Sequence, residues 1–183
     1  MARVIAGMVM SLDGFVSDRN GDLSRLYPDF AAMRESAAVQ EAIESTGAVV
    51  MGRRSYEMGD DYSGYEFQAP IFVLTHEPPA EPAKGQNGQL SFTFVTDGIE
   101  RAIALAKAAA AEKDVTIVGG PDTIRQALAA GLVDELHIDV RAVLLGDGLL
   151  LFDRTDRSPI ELELIETTQS PGITHLCYRV LPA

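Results

Sequence analysis

Between Arg3 and Met10 the chain is apolar and rich in β-branched residues, the pattern of a buried strand. Ser11-Leu12-Asp13-Gly14 ends that run, and a polar loop with Asp18, Asn20, Gly21 and Asp22 follows. Pro28-Asp29 predicts a helix start, with Phe30, Met33, Ala37 and Ile43 along one side and Gly47 as the stop. Ala48 to Met51 is a short buried strand, and Gly52-Arg53-Arg54-Ser55-Tyr56-Glu57 begins the next helix. Ile71-Phe72-Val73-Leu74 is a third strand, closed by Thr75-His76-Glu77-Pro78-Pro79. A Pro/Gly-rich loop from Ala80 to Gln89 leads to a fourth strand, Phe92 to Val95. Asp97 and Glu100 have capping-box spacing ahead of an alanine-rich helix whose Ile99, Ala102, Ile103 and Ala106 face inward. Val115 to Val118 is a fifth strand, a helix runs from Pro121 to Gly131, and Leu136 to Val140 is a sixth strand. Gly146-Asp147-Gly148 breaks the apolar run that follows, and Ile160–Thr168 and Ile173–Val180 form a hairpin about Ser170-Pro171-Gly172.

Strands alternating with helices predict an α/β fold of three layers: a mostly parallel central sheet flanked by helices, with the hairpin as an antiparallel edge. The expectation is one domain spanning residues 1–183, without internal repeats. Ligands of open α/β sheets bind beyond the carboxyl ends of the strands. Four segments of chemical interest fall there: Ser11–Gly14, Gly52–Ser55, Thr75–His76 and Gly119–Thr123. In the last of these, two glycines stand between a β-branched run and Pro121, a residue suited to the first helical position. Glycine backbone and a helix N-terminus together make a seat for phosphate. The same residues also suit a tight strand-to-helix turn with no ligand.

Composition narrows the function. No run approaches the ~20 apolar residues of a membrane helix, and the start of the chain lacks a signal-peptide pattern. A single cysteine, Cys177, fits a reducing cytoplasm. His76, His137 and His175 are scattered, so no metal is expected. The net charge of −12 argues against a nucleic-acid surface, and it gives weight to the adjacent Arg53 and Arg54.

The ordered set Met10-Ser11-Leu12-Asp13-Gly14, Val50-Met51-Gly52-Arg53-Arg54-Ser55-Tyr56-Glu57, Ile117-Val118-Gly119-Gly120, Ala130-Gly131-Leu132-Val133-Asp134-Glu135-Leu136, Val143-Leu144-Leu145-Gly146-Asp147-Gly148 and Leu151-Phe152 covers nearly the whole chain. In this order the segments resemble the dihydrofolate reductase superfamily. The match is closest to the reductase domain of the riboflavin-biosynthesis deaminase/reductase, a 5-amino-6-(5-phosphoribosylamino)uracil reductase. The resemblance implies NADPH as cofactor. It assigns Gly52, Arg53, Arg54 and Ser55 to the turn over the cofactor phosphates, with Arg53 and Ser55 nearest the 2′-phosphate. It also puts Thr75 and His76 on the adenosine side, and Gly119, Gly120, Pro121, Asp122 and Thr123 at the diphosphate. Asp122 would repel phosphate unless it turns away as a helix cap. The same resemblance implies a homodimer joined through the late strands; the apolar run Val140 to Phe152 suits such an interface and equally suits burial within one subunit.

A folate reductase proper is not expected. The chain has no tryptophan, and Ala69 occupies the position where folate enzymes grip the substrate's carboxylate with arginine. Asp29 is the one counterpart for their buried acid, although it equally suits capping a helix after Pro28. Ser11 and Asp13 are the candidate substrate contacts. Arg141, Arg154 and Arg157 are the cations available to a substrate phosphate, and each also reads as a surface charge. The zinc-binding His-x-Glu and Pro-Cys-x-x-Cys pattern of the bifunctional enzyme is absent, which implies a stand-alone reductase domain. Beside an NADPH-dependent reductase of a small polar pterin- or pyrimidine-like substrate, two other classes fit: a non-catalytic NADPH-binding or regulatory protein, and an interaction domain without nucleotide.

Overall fold

A computed structural model describes residues 2–153 and 159–182. Arg154 and Arg157 lie outside the described residues. In chain order the elements are β1 (Val4–Ser11), β2 (Phe15–Ser17), α1 (Phe30–Arg34), α2 (Ala37–Ser45), β3 (Thr46–Gly52), α3 (Arg53–Tyr56), β4 (Ile71–Leu74) and β5 (Phe92–Val95). They continue with α4 (Ile99–Ala110), β6 (Asp114–Ile117), α5 (Pro121–Ala129), β7 (Glu135–Arg141), β8 (Leu149–Leu150), β9 (Leu162–Ser170) and β10 (Ile173–Val180). Eight strands form one sheet in the order β5-β4-β3-β6-β1-β7-β10-β9, and β2 pairs with β8 in a small second sheet. The strands from β5 to β7 are parallel, whereas β10 is antiparallel to both β7 and β9. The three-layer α/β class with an antiparallel C-terminal pair is therefore the observed one.

The sheet buries two cores, one on each face. Val4, Ala6, Ala48, Val50, Val115, Ile117, Leu136 and Ile138 point to the face covered by α4 and α5, whose Ala102, Ile103, Ala106, Ile124 and Ala127 meet them. Val49, Met51, Ile71 and Val73 point the other way, against Tyr56, Tyr62 and Leu90. That second core is aromatic. The Tyr56 and Tyr62 rings stack at 5.8 Å, Phe92 and Phe94 meet Tyr56 edge-on, and the Tyr62 hydroxyl donates to the Tyr56 carbonyl at 2.8 Å. Stacked and edge-on pairs of this kind add about 0.5–1.5 kcal/mol each beyond their burial.

Two local expectations need correction. The single helix expected from Pro28 to Gly47 is two helices. Ser36 accepts from the Val39 N–H and starts α2 afresh, and Gly47 lies inside β3 rather than ending a helix. Neither α1 nor α2 contains a buried residue, so their apolar side chains are at most partly covered. Asp97 does not cap α4 either: Gly98 occupies the N-cap at φ +95°, and no side chain caps that end. At the other end of the sheet, Asp134 and Glu135 tie strand starts together. Asp134 accepts from the Val4 N–H at 2.7 Å, and Arg3 bridges Asp114 (2.6 Å) and Glu135 (2.8 Å). The hydrogen bond that Arg3 donates to Asp114, foremost, raises the Arg3 pKa further, so the guanidinium stays charged at every ordinary pH.

Candidate active site

The parallel strands β4, β3, β6 and β1 are neighbours, so their C-terminal ends open side by side. Four of the chain's segments are thereby brought to one edge: Thr75–His76, Gly52–Ser55, Gly119–Thr123 and Ser11–Gly14. Their centre is the junction of the two glycine turns. The Gly52 N–H donates to the Gly119 carbonyl at 2.8 Å, and the Val118 N–H to the Val50 carbonyl at 3.1 Å. A Cβ at Gly52 would lie 2.6 Å from the Thr123 Oγ1, so only glycine lets the two turns approach this closely. Gly119 is at φ +130°, outside the range of ordinary L-residues, and is joined to Gly120 by a cis peptide. The Ser55 hydroxyl faces both: it lies 3.1 Å from the place of a Gly119 Cβ and 3.5 Å from that of Gly120.

Helix α5 starts here without a cap. Gly120 is its N-cap, no side chain accepts from its first N–H groups, and Pro121 fills the first turn. Unsatisfied N–H groups and the positive end of the helix dipole together attract an anion. Asp122 does not oppose it. Its carboxylate, 76% exposed, turns along the helix to accept from Gln126 at 2.6 Å and to meet Arg125 at 3.7 Å. The expectation of Asp122 as a cap is thus corrected, while its turning away holds. Thr123 is buried against Gly52, and Pro121 is buried as well.

On the neighbouring turn the two arginines differ. Arg53 Nε donates to Glu57 Oε1 at 2.6 Å across one helical turn, with both side chains half-exposed. Among the described residues Arg54 has no ion pair, and it is exposed beside it. Thr75 is buried and closes its own loop, donating to the Glu77 carbonyl at 2.8 Å and accepting from the Glu77 N–H. His76, next to it, is exposed.

The Ser11 and Asp13 side chains are already occupied. Ser11, fully buried, donates to Asp13 Oδ1 at 2.6 Å and accepts from the Phe15 N–H at 2.9 Å. Asp13 also accepts from the Leu145 N–H at 3.1 Å and the Gly146 N–H at 2.7 Å. Hydrogen bonds from Ser11 first, and then from these amides, lower the Asp13 pKa below its ordinary value. These two residues clasp the loop after β1 to the loop after β7, and the Leu12 N–H on the Val143 carbonyl reinforces it. Asp29 accepts from the Ala32 N–H at 3.0 Å as the N-cap of α1 and is exposed, as a capping residue should be.

One polar group was read from the sequence only at Arg141, not as a stripe along a strand. Glu135, His137, Asp139 and Arg141 alternate along β7 with Leu136, Ile138 and Val140 of the core, so all four share the second face of the sheet. The alternation in Glu-Leu-His-Ile-Asp-Val-Arg was the signal. Asp139 holds His175 Nδ1 at 2.7 Å, and His175 Nε2 meets the Ser170 hydroxyl at 2.8 Å. Near them Tyr27 is pushed up to about 12 by burial and by the Asp139 charge.

A parallel sheet of this strand order, with glycine turns at the β3 and β6 ends and an antiparallel last pair, is the dihydrofolate reductase-like fold. The model of the RibD C-terminal domain matches residues 2–176, and the chain belongs to that family, whose class is the riboflavin-pathway-type reductase. The uncharacterized protein YyaP of Bacillus subtilis (strain 168) is 24% identical over 183 residues, 96% of this chain and 94% of the relative. The crystal structure of a putative riboflavin biosynthesis protein from Shewanella sp. PV-4 superposes with a TM-score of 0.79, at 24% identity over 100% of both chains. Dihydrofolate reductase from Enterococcus faecalis complexed with NADP(H) gives 0.61 at 16% identity, covering 97% of this chain and 96% of that one. Among the described residues no helix is long and apolar enough to cross a membrane, and no three His, Cys, Asp or Glu residues are grouped to hold a metal ion.

Proposed function

We propose that this protein is an NADPH-dependent reductase that transfers hydride to a small polar pterin- or pyrimidine-like substrate. The observation that carries the reading is the uncapped start of α5 at Gly119–Gly120, with Asp122 turned away and the Ser55 hydroxyl facing the turn. A diphosphate there receives backbone N–H groups and the helix dipole without a competing carboxylate. Arg53 and Arg54 stand on the adjoining turn, where a guanidinium meets a 2′-phosphate with two parallel donors. Thr75 shapes the adenosine side through its loop, beside His76. When bound, NADPH supplies the hydride; the chain's residues bind it, orient it and shield it from water. Ser11 and Asp13 act in this reading by fixing the loop over the β1 end, and Asp29 is a helix cap outside the chemistry.

The same reading includes a homodimer. All nine residues of β9 are exposed, among them Leu162, Leu164 and Ile165, and Leu144 and Phe152 are exposed as well. An uncovered edge strand with apolar side chains invites pairing with another chain.

The testing experiment is thermal denaturation with NADPH, NADH or neither, at equal concentrations. A ligand at 100 times its Kd adds about 2.7 kcal/mol to the native state. The expected result is a rise in Tm with NADPH that exceeds the rise with NADH. Absence of any rise at millimolar cofactor overturns the proposal. Arg53→Ala is expected to weaken NADPH roughly tenfold and NADH far less, because only NADPH carries the extra phosphate.

A further inference from the structure

Three of the four polar residues on the β7 stripe have partners: Glu135 with Arg3, His137 with Glu135, and Asp139 with His175. Arg141 is the exception. Among the described residues it makes no ion pair, and its Nε is buried without a hydrogen-bond partner. An Nε–H withdrawn from water is costly unless an acceptor meets it. Counter-ions are not scarce, since the chain has 27 Asp and Glu against 15 Lys and Arg. What leaves Arg141 unpaired is therefore its place in the fold.

That place is a cleft at the C-terminal end of β7. Arg141 stands opposite Ser11 on β1 and Ile173 on β10. It lines a volume of about 310 Å³ together with Leu12, Gln169, Ser170, Gly172 and Thr174. Gly172, in the turn between β9 and β10, leaves room for the guanidinium, because a Cβ there would sit 3.3 Å from Arg141 Nη1. The Ala142 N–H donates to the Gly172 carbonyl at 3.0 Å and fixes the turn against β7. At the rim, the Ser170 hydroxyl is held by His175, which Asp139 holds in turn. Asp139, the carboxylate nearest along β7, is thereby directed to the imidazole. No carboxylate lines the cleft among the described residues.

We propose that this cleft is an oxyanion site, separate from the glycine turns, in which Arg141 receives the carboxylate or phosphate of a small molecule. A planar guanidinium offers five donors in a fixed fork and accepts nothing, so the ligand chemistry it selects is an oxyanion that takes two of them. The volume holds on the order of ten waters, enough for one such group and a few attached atoms.

The test is a titration of the full ¹⁵N-labelled chain at constant ionic strength, first with inorganic phosphate and then with acetate, following the Arg141 Nε–H resonance. A saturable shift is expected, and R141Q is expected to weaken that binding roughly ten- to hundredfold while its Tm rise with NADPH is unchanged. Tighter binding of phosphate identifies a phosphate ester as the ligand class, and tighter binding of acetate a carboxylate. No saturable shift with either ion, or equal binding by R141Q, overturns the proposal. The wild-type resonance reports on the cleft by itself, so the result stands even if R141Q does not fold. It also stands if NADPH fails to bind, which separates this inference from the reductase reading.

Discussion

Arg53 and Arg54 are neighbours in sequence but not equals in what they offer a phosphate. Arg53 already shares its charge with Glu57, an exposed pair one helical turn apart that adds little to the stability of the fold. Glu57→Gln removes a negative charge from the proposed 2′-phosphate seat at almost no cost in stability. It is expected to tighten NADPH several-fold in a fluorescence titration, with little change for NADH. Loss of affinity in that variant would mean that Glu57 positions Arg53 rather than competes for it. Asp13 offers a test by pH. Its native pKa lies below the ordinary value of 3.8, so its contribution is complete above that value and disappears as the pH falls through the native one. The Leu145 and Gly146 amides are therefore expected to lose hydrogen-exchange protection in acid below about pH 4. Asp13→Asn should lower that protection at neutral pH and abolish its acid dependence.

At the scale of elements, the packing of Gly52 on Thr123 joins the two glycine turns through one contact. Gly52→Ala places a Cβ 2.6 Å from the Thr123 Oγ1 and is expected to cost about 1–3 kcal/mol in urea denaturation. Thr123→Ala in the same chain should return part of it, a coupling that only contacting residues show. Most strands and the two long helices were legible because their apolar period is unbroken over a full element. The helix after Pro28 was legible only in part, since the apolar period runs across Glu35-Ser36 while the Ser36 side chain captures a backbone N–H and begins a new helix. β2 and β8 escaped because strands of three and two residues carry no period at all. Gly98 displaced Asp97 at the start of α4 because a cap is decided by backbone conformation, which residue spacing does not report. At the candidate site, the residue types and their gathering at one edge were readable, whereas the side-chain partners were not. Nothing in the sequence tells that the Ser11 hydroxyl turns to Asp13, or that Arg53 turns to Glu57.

For the molecule as a whole, the two faces of the sheet are unequally covered toward one end. β10 is half-buried, whereas β9 is exposed throughout. Leu164→Lys, which puts a charge in the middle of β9, is expected to give the monomer mass in sedimentation at concentrations where the unaltered chain sediments as a dimer. A monomer mass for the unaltered chain at every concentration would remove the dimer from the reading. The order of the strands has another outcome, one that concerns synthesis. β1 is made first and lies in the middle of the sheet, where Val4 pairs with Val115 and Ile5 with Glu135. A ribosome therefore releases Val-Ile-Ala-Gly-Met-Val-Met long before either neighbour exists, and the central ladder closes only across a very long loop. During that wait an apolar strand is a bare template for misassociation. The folding hazard of this sheet therefore sits at its earliest strand, and holding that segment apart until β6 and β7 exist is expected to raise the yield of folded chain.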